Sequence, residues 1–143
     1  MNASGIRLTL DSPSGHYQPG ERLSGRYMVD GSQPWSMRAL ELSVLWYTSG
    51  KGEEDIAVHH FERHVSEAAR PLDLRVPRRF STVLPPSPLS YDGEIVKVCW
   101  CVRLRIFLPQ GQESLAEVPF RLGSVPGVIQ ESMVESPSAN QME

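Results

Sequence analysis

SPLSYDGEIVKVCWCVRLRIFL, Ser87 to Leu108, joins a turn signal to the longest alternating run in the chain. From Val96 onward every even position is large and apolar: Val96, Val98, Trp100, Val102, Leu104, Ile106 and Leu108. The odd positions Lys97, Cys99, Cys101, Arg103 and Arg105 are polar or small, and only Phe107 breaks the rule. A period of two over this length puts one face of an extended strand on a core and leaves the other wet. A helix would scatter the same residues around its axis. Burial of such a row at roughly 1.5–3 kcal/mol per large side chain makes this strand the main anchor of a core.

Shorter runs of the same kind lie on either side. Ile6, Leu8 and Leu10 alternate with Arg7 and Thr9 before the turn formers at 11–15. Leu23, Gly25, Tyr27 and Val29 follow the Pro19-Gly20 turn, and a glycine inside a strand pattern marks a bulge or a close backbone approach. Arg38 to Thr48 places Leu40, Leu42, Val44 and Trp46 on one face, with Leu45 and Tyr47 making the second face apolar near its end. Residues 53–70 hold helix formers, yet Ile56, Val58 and Phe61 fit a strand that changes face near His59 and His60 and pairs back on Arg38 to Thr48. Arg79 to Leu84 and Leu115 to Leu122 complete about seven strands with no clear helix. Runs of strands separated by Pro and Gly turns predict an all-β fold, an antiparallel β-sandwich of the immunoglobulin-like or arrestin-like kind.

At 143 residues the chain is long enough for one domain with a real core. The expected division is a sandwich over 1–123 and a flexible acidic tail over 124–143, where Glu131, Glu135 and Glu143 stand with no Lys or Arg. Fourteen basic against seventeen acidic residues give a net charge of −3, which argues against nucleic acid as the main ligand. No apolar run of membrane-spanning length and no secretory pattern is present, so a cytoplasmic location is expected. Cys99 and Cys101 stand two apart on one strand face, where a disulfide is hard to form, and read as free thiols.

Two segments resemble the arrestin-fold family. YQPGERLSGRY, Tyr17 to Tyr27, is similar to the opening of an arrestin-type domain, where a Pro-Gly-Glu turn leads into a strand bearing a glycine. LPPSPLSYDGEIVKVCWCVRL, Leu84 to Leu104, is similar to the family's later proline-rich turn and long alternating strand. The two occur in the family's order and together cover about residues 6–123. Arrestins and the related retromer subunit carry two such sandwiches in tandem, whereas this chain has room for one. The resemblance implies the fold of a single arrestin N-terminal-like domain and a habit of binding other proteins.

Candidate chemistry is sparse. His59, His60 and His64 invite a metal-dependent activity, but Phe61 stands where a His-Glu-x-x-His motif needs its glutamate. On a strand, His60 and His64 lie about 13 Å apart, too far to share one ion. Cys99-Trp-Cys101 lacks the second pair of ligands a structural zinc site needs. No Gly-x-Ser-x-Gly elbow or phosphate-cradling loop is found. Lys97, Arg103 and Arg105 form a basic row on the outward face, open to a partner or to facing carboxylates such as Glu41. The expectation is a non-catalytic binding or scaffold module with no cofactor and no metal, acting through a sheet edge or a sheet face. Its partner would be another protein, or a second chain in a homo- or hetero-oligomer, and peripheral contact with a membrane is left open. Edge pairing is expected at Ile6 to Leu10 or at His59 to Val65, with Arg7 and Arg63 as positions for proline tests, because Pro119 protects the last strand.

Overall fold

The computed structural model describes residues 5–29 and 37–123. The tail expected over 124–143 lies outside the described residues. Among the described residues nine strands follow in order: β1 (Ile6–Leu10), β2 (His16–Tyr17), β3 (Arg22–Val29), β4 (Ala39–Gly50), β5 (Ile56–Val65), β6 (Arg78–Val83), β7 (Tyr91–Asp92), β8 (Val96–Phe107) and β9 (Glu113–Leu122). Seven correspond to the alternating runs, and β2 and β7 are two-residue pieces. A 3₁₀ turn at Pro109–Gly111 joins β8 to β9. Among the described residues no helix is long and apolar enough to cross a membrane.

The strands form two sheets. The small sheet has the order β1-β3-β6 and is antiparallel. The large sheet has the order β2-β9-β8-β4-β5, with β7 paired to β8 beyond the end of β9. All its ladders are antiparallel except the contact of His16 and Tyr17 with Arg121 and Leu122, which is parallel. The all-β sandwich expected from the alternation is therefore the fold observed.

Period two fixes what lies between the sheets. Trp100, Val102, Leu104 and Ile106 from β8 meet Leu40, Leu42 and Val44 from β4 on the inner face of the large sheet, and all are buried. Leu23, Tyr27 and Phe80 face them from the small sheet. Trp100 is tied down twice, by its indole N–H donating to the Pro88 carbonyl at 2.8 Å and by Phe120 with ring centres 5.7 Å apart. Val96 and Val98 continue the same face but are half-buried. Strands of 5, 8 and 6 residues cannot cover a strand of 12 at about 3.3 Å per residue.

Gly25 performs the close approach its place in the pattern suggested. A Cβ there would stand 2.3 Å from the Thr9 carbonyl oxygen and 2.8 Å from the Phe80 ring. Phe107, the residue that breaks the alternation of β8, stacks on the outward face between the guanidiniums of Arg105 and Arg63, at 5.0 and 5.7 Å from its ring centre.

Trp100→Ala should lower the unfolding free energy by about 3–5 kcal/mol, the cost of deleting a large buried aromatic. Val96→Ala, at the uncovered end of the same face, should cost about 1 kcal/mol. Urea unfolding of both variants checks the register, and equal losses would show it to be wrong.

Candidate functional site

The segment at 53–70 that the sequence left ambiguous is a ten-residue strand, β5, at the edge of the large sheet. Its apolar residues change parity because of a bulge. Val44 pairs with His60 and Leu45 with Val58, so His59 is the extra residue. On one side of it Ile56 and Val58 face outward, on the other Phe61 and Val65, and the inner face receives Ala57, His60, Glu62 and His64.

The inward histidines meet a carboxylate. His60 Nε2 lies 2.8 Å from one Glu62 oxygen and His64 Nε2 lies 3.3 Å from the other. Arg78 of β6 reaches His64 Nδ1 at 3.4 Å and also hydrogen-bonds the buried Tyr27. The extra residue, His59, turns to the small sheet, where its Nε2 is 2.8 Å from the Val83 carbonyl and its ring is edge-on to Trp100. These contacts make a polar seam between β5 and β6, the facing edges of the two sheets. His60 and His64 thus share the Glu62 carboxylate while His59 engages the small sheet, and among the described residues no set of three or more His, Cys, Asp or Glu is placed to hold a metal ion. Partial burial pushes the Glu62 carboxyl up, but hydrogen bonds from His60 and His64 outweigh it and hold the group below its ordinary value.

The outward basic row is laid out differently. Arg103 bonds Glu117 at 2.5 Å, and Arg105 bonds Glu113 at 2.9 Å with Glu41 beyond. Glu41 also pairs with Arg63. Lys97 stands exposed six residues from Arg103, about 20 Å along β8, opposite Ser49 and Asp92. The structure therefore brings Arg103 and Arg105 together, each with a carboxylate, and sets Lys97 apart. Cys101 is buried on this face and its thiol is pushed up to about 11, first by burial and then by the Glu117 carboxylate, so it is no ready nucleophile.

Exposed apolar side chains on β5 are what the sequence reading passed over. Ile56, Val58, Phe61 and Val65 are 59%, 53%, 52% and 53% exposed. Register lines Val58 up with Leu45, Cys101 and Pro119, and Ile56 with Tyr47 and Cys99, so an apolar strip crosses the sheet from its open edge. The signal was present in the alternation on either side of His59, and only the face was undetermined.

The backbone of β5 is also open. Ser66 N–H donates to Arg38 O, in register with the β4 ladder. Alternation then turns the N–H and C=O groups of His60, Glu62 and His64 toward β4, and those of Phe61, Arg63 and Val65 outward. The position expected to test the other edge does not serve. Asp11 N–H donates to Ser24 O, so the same alternation turns the Arg7 N–H into the β1–β3 ladder, and proline there would break the sheet.

Glu62→Gln tests the seam. A carboxyl depressed in the folded state stabilises above its unfolded value, near 4.5, and that contribution is lost as pH falls through the folded value. The urea midpoint of the variant should therefore lie below that of the natural chain at neutral pH, and the gap should close in acid. A gap independent of pH would remove the carboxylate from the account.

No family model matches the chain, and no curated protein matches it. Among solved structures, the sporulation control protein Spo0M from Bacillus subtilis superposes with a TM-score of 0.60 at 18% identity, over 88% of this chain and 51% of its own. A superoxide reductase (neelaredoxin) from Ignicoccus hospitalis, in a single-substitution form, superposes with a TM-score of 0.50 at 12% identity, over 85% of this chain and 82% of its own. At these identities the likeness is one of fold. The chain spans about half the length of Spo0M.

Proposed function

We propose that the chain is a single arrestin-like domain acting as a non-catalytic protein-binding module, and that it takes an extended partner segment on the open edge of β5. The observation that carries this reading is the coincidence, on one strand, of outward backbone groups at Phe61, Arg63 and Val65 with outward apolar side chains at Ile56, Val58, Phe61 and Val65. An added strand would complete the ladder, and its alternate side chains would lie beside the exposed Ile56, Val58, Phe61 and Val65. Exposed edges of this length and hydrophobicity are normally blunted by charge, proline or a covering loop. Arg63 is the one charge on the outward face of β5, and its pairing with Glu41 directs it along the sheet.

A second reading rests on the same exposed edge of β5. A second copy would then supply the added strand, as a two-fold antiparallel pairing of β5 with itself. Light scattering separates a stable dimer from a monomer awaiting a different partner.

Peptides selected from a random library against the domain should be extended segments that slow hydrogen exchange at Phe61, Arg63 and Val65. Arg63→Pro should abolish their binding and leave the circular dichroism spectrum unchanged. Glu62→Pro, which removes a donor aimed at β4, should destabilise the fold by about 3 kcal/mol. Peptides that bind Arg63→Pro as tightly as the natural chain would place the site elsewhere.

A further inference from the structure

The two sheets differ in charge. The strands of the small sheet, IRLTL, RLSGRYMV and RRFSTV, hold Arg7, Arg22, Arg26, Arg78 and Arg79 and not one carboxylate. In the strands of the large sheet, Arg63, Lys97, Arg103, Arg105 and Arg121 are matched by Glu41, Glu62, Asp92, Glu113 and Glu117. Because Leu23, Tyr27 and Phe80 turn into the core, Arg7, Arg22, Arg26 and Arg79 stand on the opposite, solvent face of the small sheet, and all four are exposed.

Arg26 and Arg79 occupy directly opposed positions on neighbouring strands, an arrangement that destabilises a strand pair. Asp11, just past β1, offsets part of this repulsion. Its carboxylate accepts from Ser24 Oγ at 2.8 Å and pairs with Arg79, and these bonds hold it below its ordinary value. Glu21, the next carboxylate along the chain, accepts instead from the Gln18 N–H. Among the described residues, Asp11 is the one acid set against Arg22, Arg26 and Arg79, which leaves a positive surplus on this face of a chain whose net charge is −3. The other outward positions are Thr9, Ser24, Ser81, Met28 and Val83, so the face is a sheet surface of short and medium side chains with no aromatic ring.

We propose that the solvent face of the small sheet docks on an anionic phospholipid bilayer, with Arg22, Arg26 and Arg79 meeting lipid phosphate and carboxylate groups. A guanidinium fork fits such oxygens bidentately, and three spread over two neighbouring strands match a plane of charge. Met28 and Val83 add apolar contact at the depth of the headgroups. A nucleic acid is the poorer match, because the face offers no ring on which a base could stack and no ridge to enter a groove. β5 belongs to the other sheet and would stay accessible on a docked molecule.

Sedimentation of the full chain with phosphatidylcholine vesicles, with and without phosphatidylserine, tests this. Binding is expected only with phosphatidylserine, and it should fall as salt is raised. Arg26→Gln and Arg79→Gln should each weaken partitioning about fivefold, and Asp11→Asn should strengthen it by a similar factor. Arg103→Gln, on the ion-paired sheet, should change it less than about twofold. Melting temperatures identify any variant whose fold is disturbed, and the opposite signs expected for Asp11→Asn and Arg26→Gln distinguish loss of charge from loss of structure. No binding at low salt, or Arg26→Gln and Asp11→Asn shifting it in the same direction, overturns the proposal. Duplex DNA or a polyglutamate peptide displacing the vesicles at equal charge concentration would also overturn it and assign the face to that polyanion.

Discussion

A three-stranded sheet packed against a larger one must leave part of the larger inner face uncovered, and most of the molecule's surface chemistry follows from where that happens. The small sheet covers the centre of β4 and β8, and there the inner residues are Leu40, Leu42, Val44, Val102 and Leu104. It ends at β6, short of β5. Apolar residues on the inner face of β5 would gain little burial, and the positions hold His60, Glu62 and His64, which satisfy one another and Arg78 instead. This hydrogen-bonded seam closes the side of the sandwich without a further strand. It also leaves the apolar residues of β5 on the outward face, where the fold itself has no use for them.

Much of the fold could be read from the alternation. The long run in β8, the pattern of β4 with its apolar second face at Leu45 and Tyr47, and Gly25 as a point of close approach all depend on period two or on the absence of a side chain. The two-residue strands β2 and β7 carry no period, since pairing with β9 and β8 creates them. Residues 53–70 stayed ambiguous because a bulge reverses the parity of their apolar positions midway, which weakens the strand pattern without producing a helical one.

The candidate site was less legible, because it depends on which strands share a sheet. Lys97, Arg103 and Arg105 read as a basic row until β9 is laid beside β8, when Glu117 and Glu113 neutralise two of the three. The arginines of β1, β3 and β6 are scattered over residues 7–79 and look ordinary one at a time. Only the pairing of Thr9 with Arg26 and of Arg26 with Arg79 assembles them into one face. Period two tells inside from outside along a strand, and says nothing about neighbours across it.

The extra residue at His59 makes the length of β5 as important as its composition. The strand is two half-strands of opposite phase, and the phase of Ile56 and Val58 is set by counting residues back from His60. Deleting His59 would leave Ile56 and Val58 outward on a regular ladder, whereas pairing every residue of the strand without the bulge would carry both to the inner side and turn Ala57 outward. Half of the apolar strip would vanish although no apolar residue had been lost. The outward surface of β5 is in this sense a reading frame, which holds while His59 stays out of the ladder and turned to the small sheet.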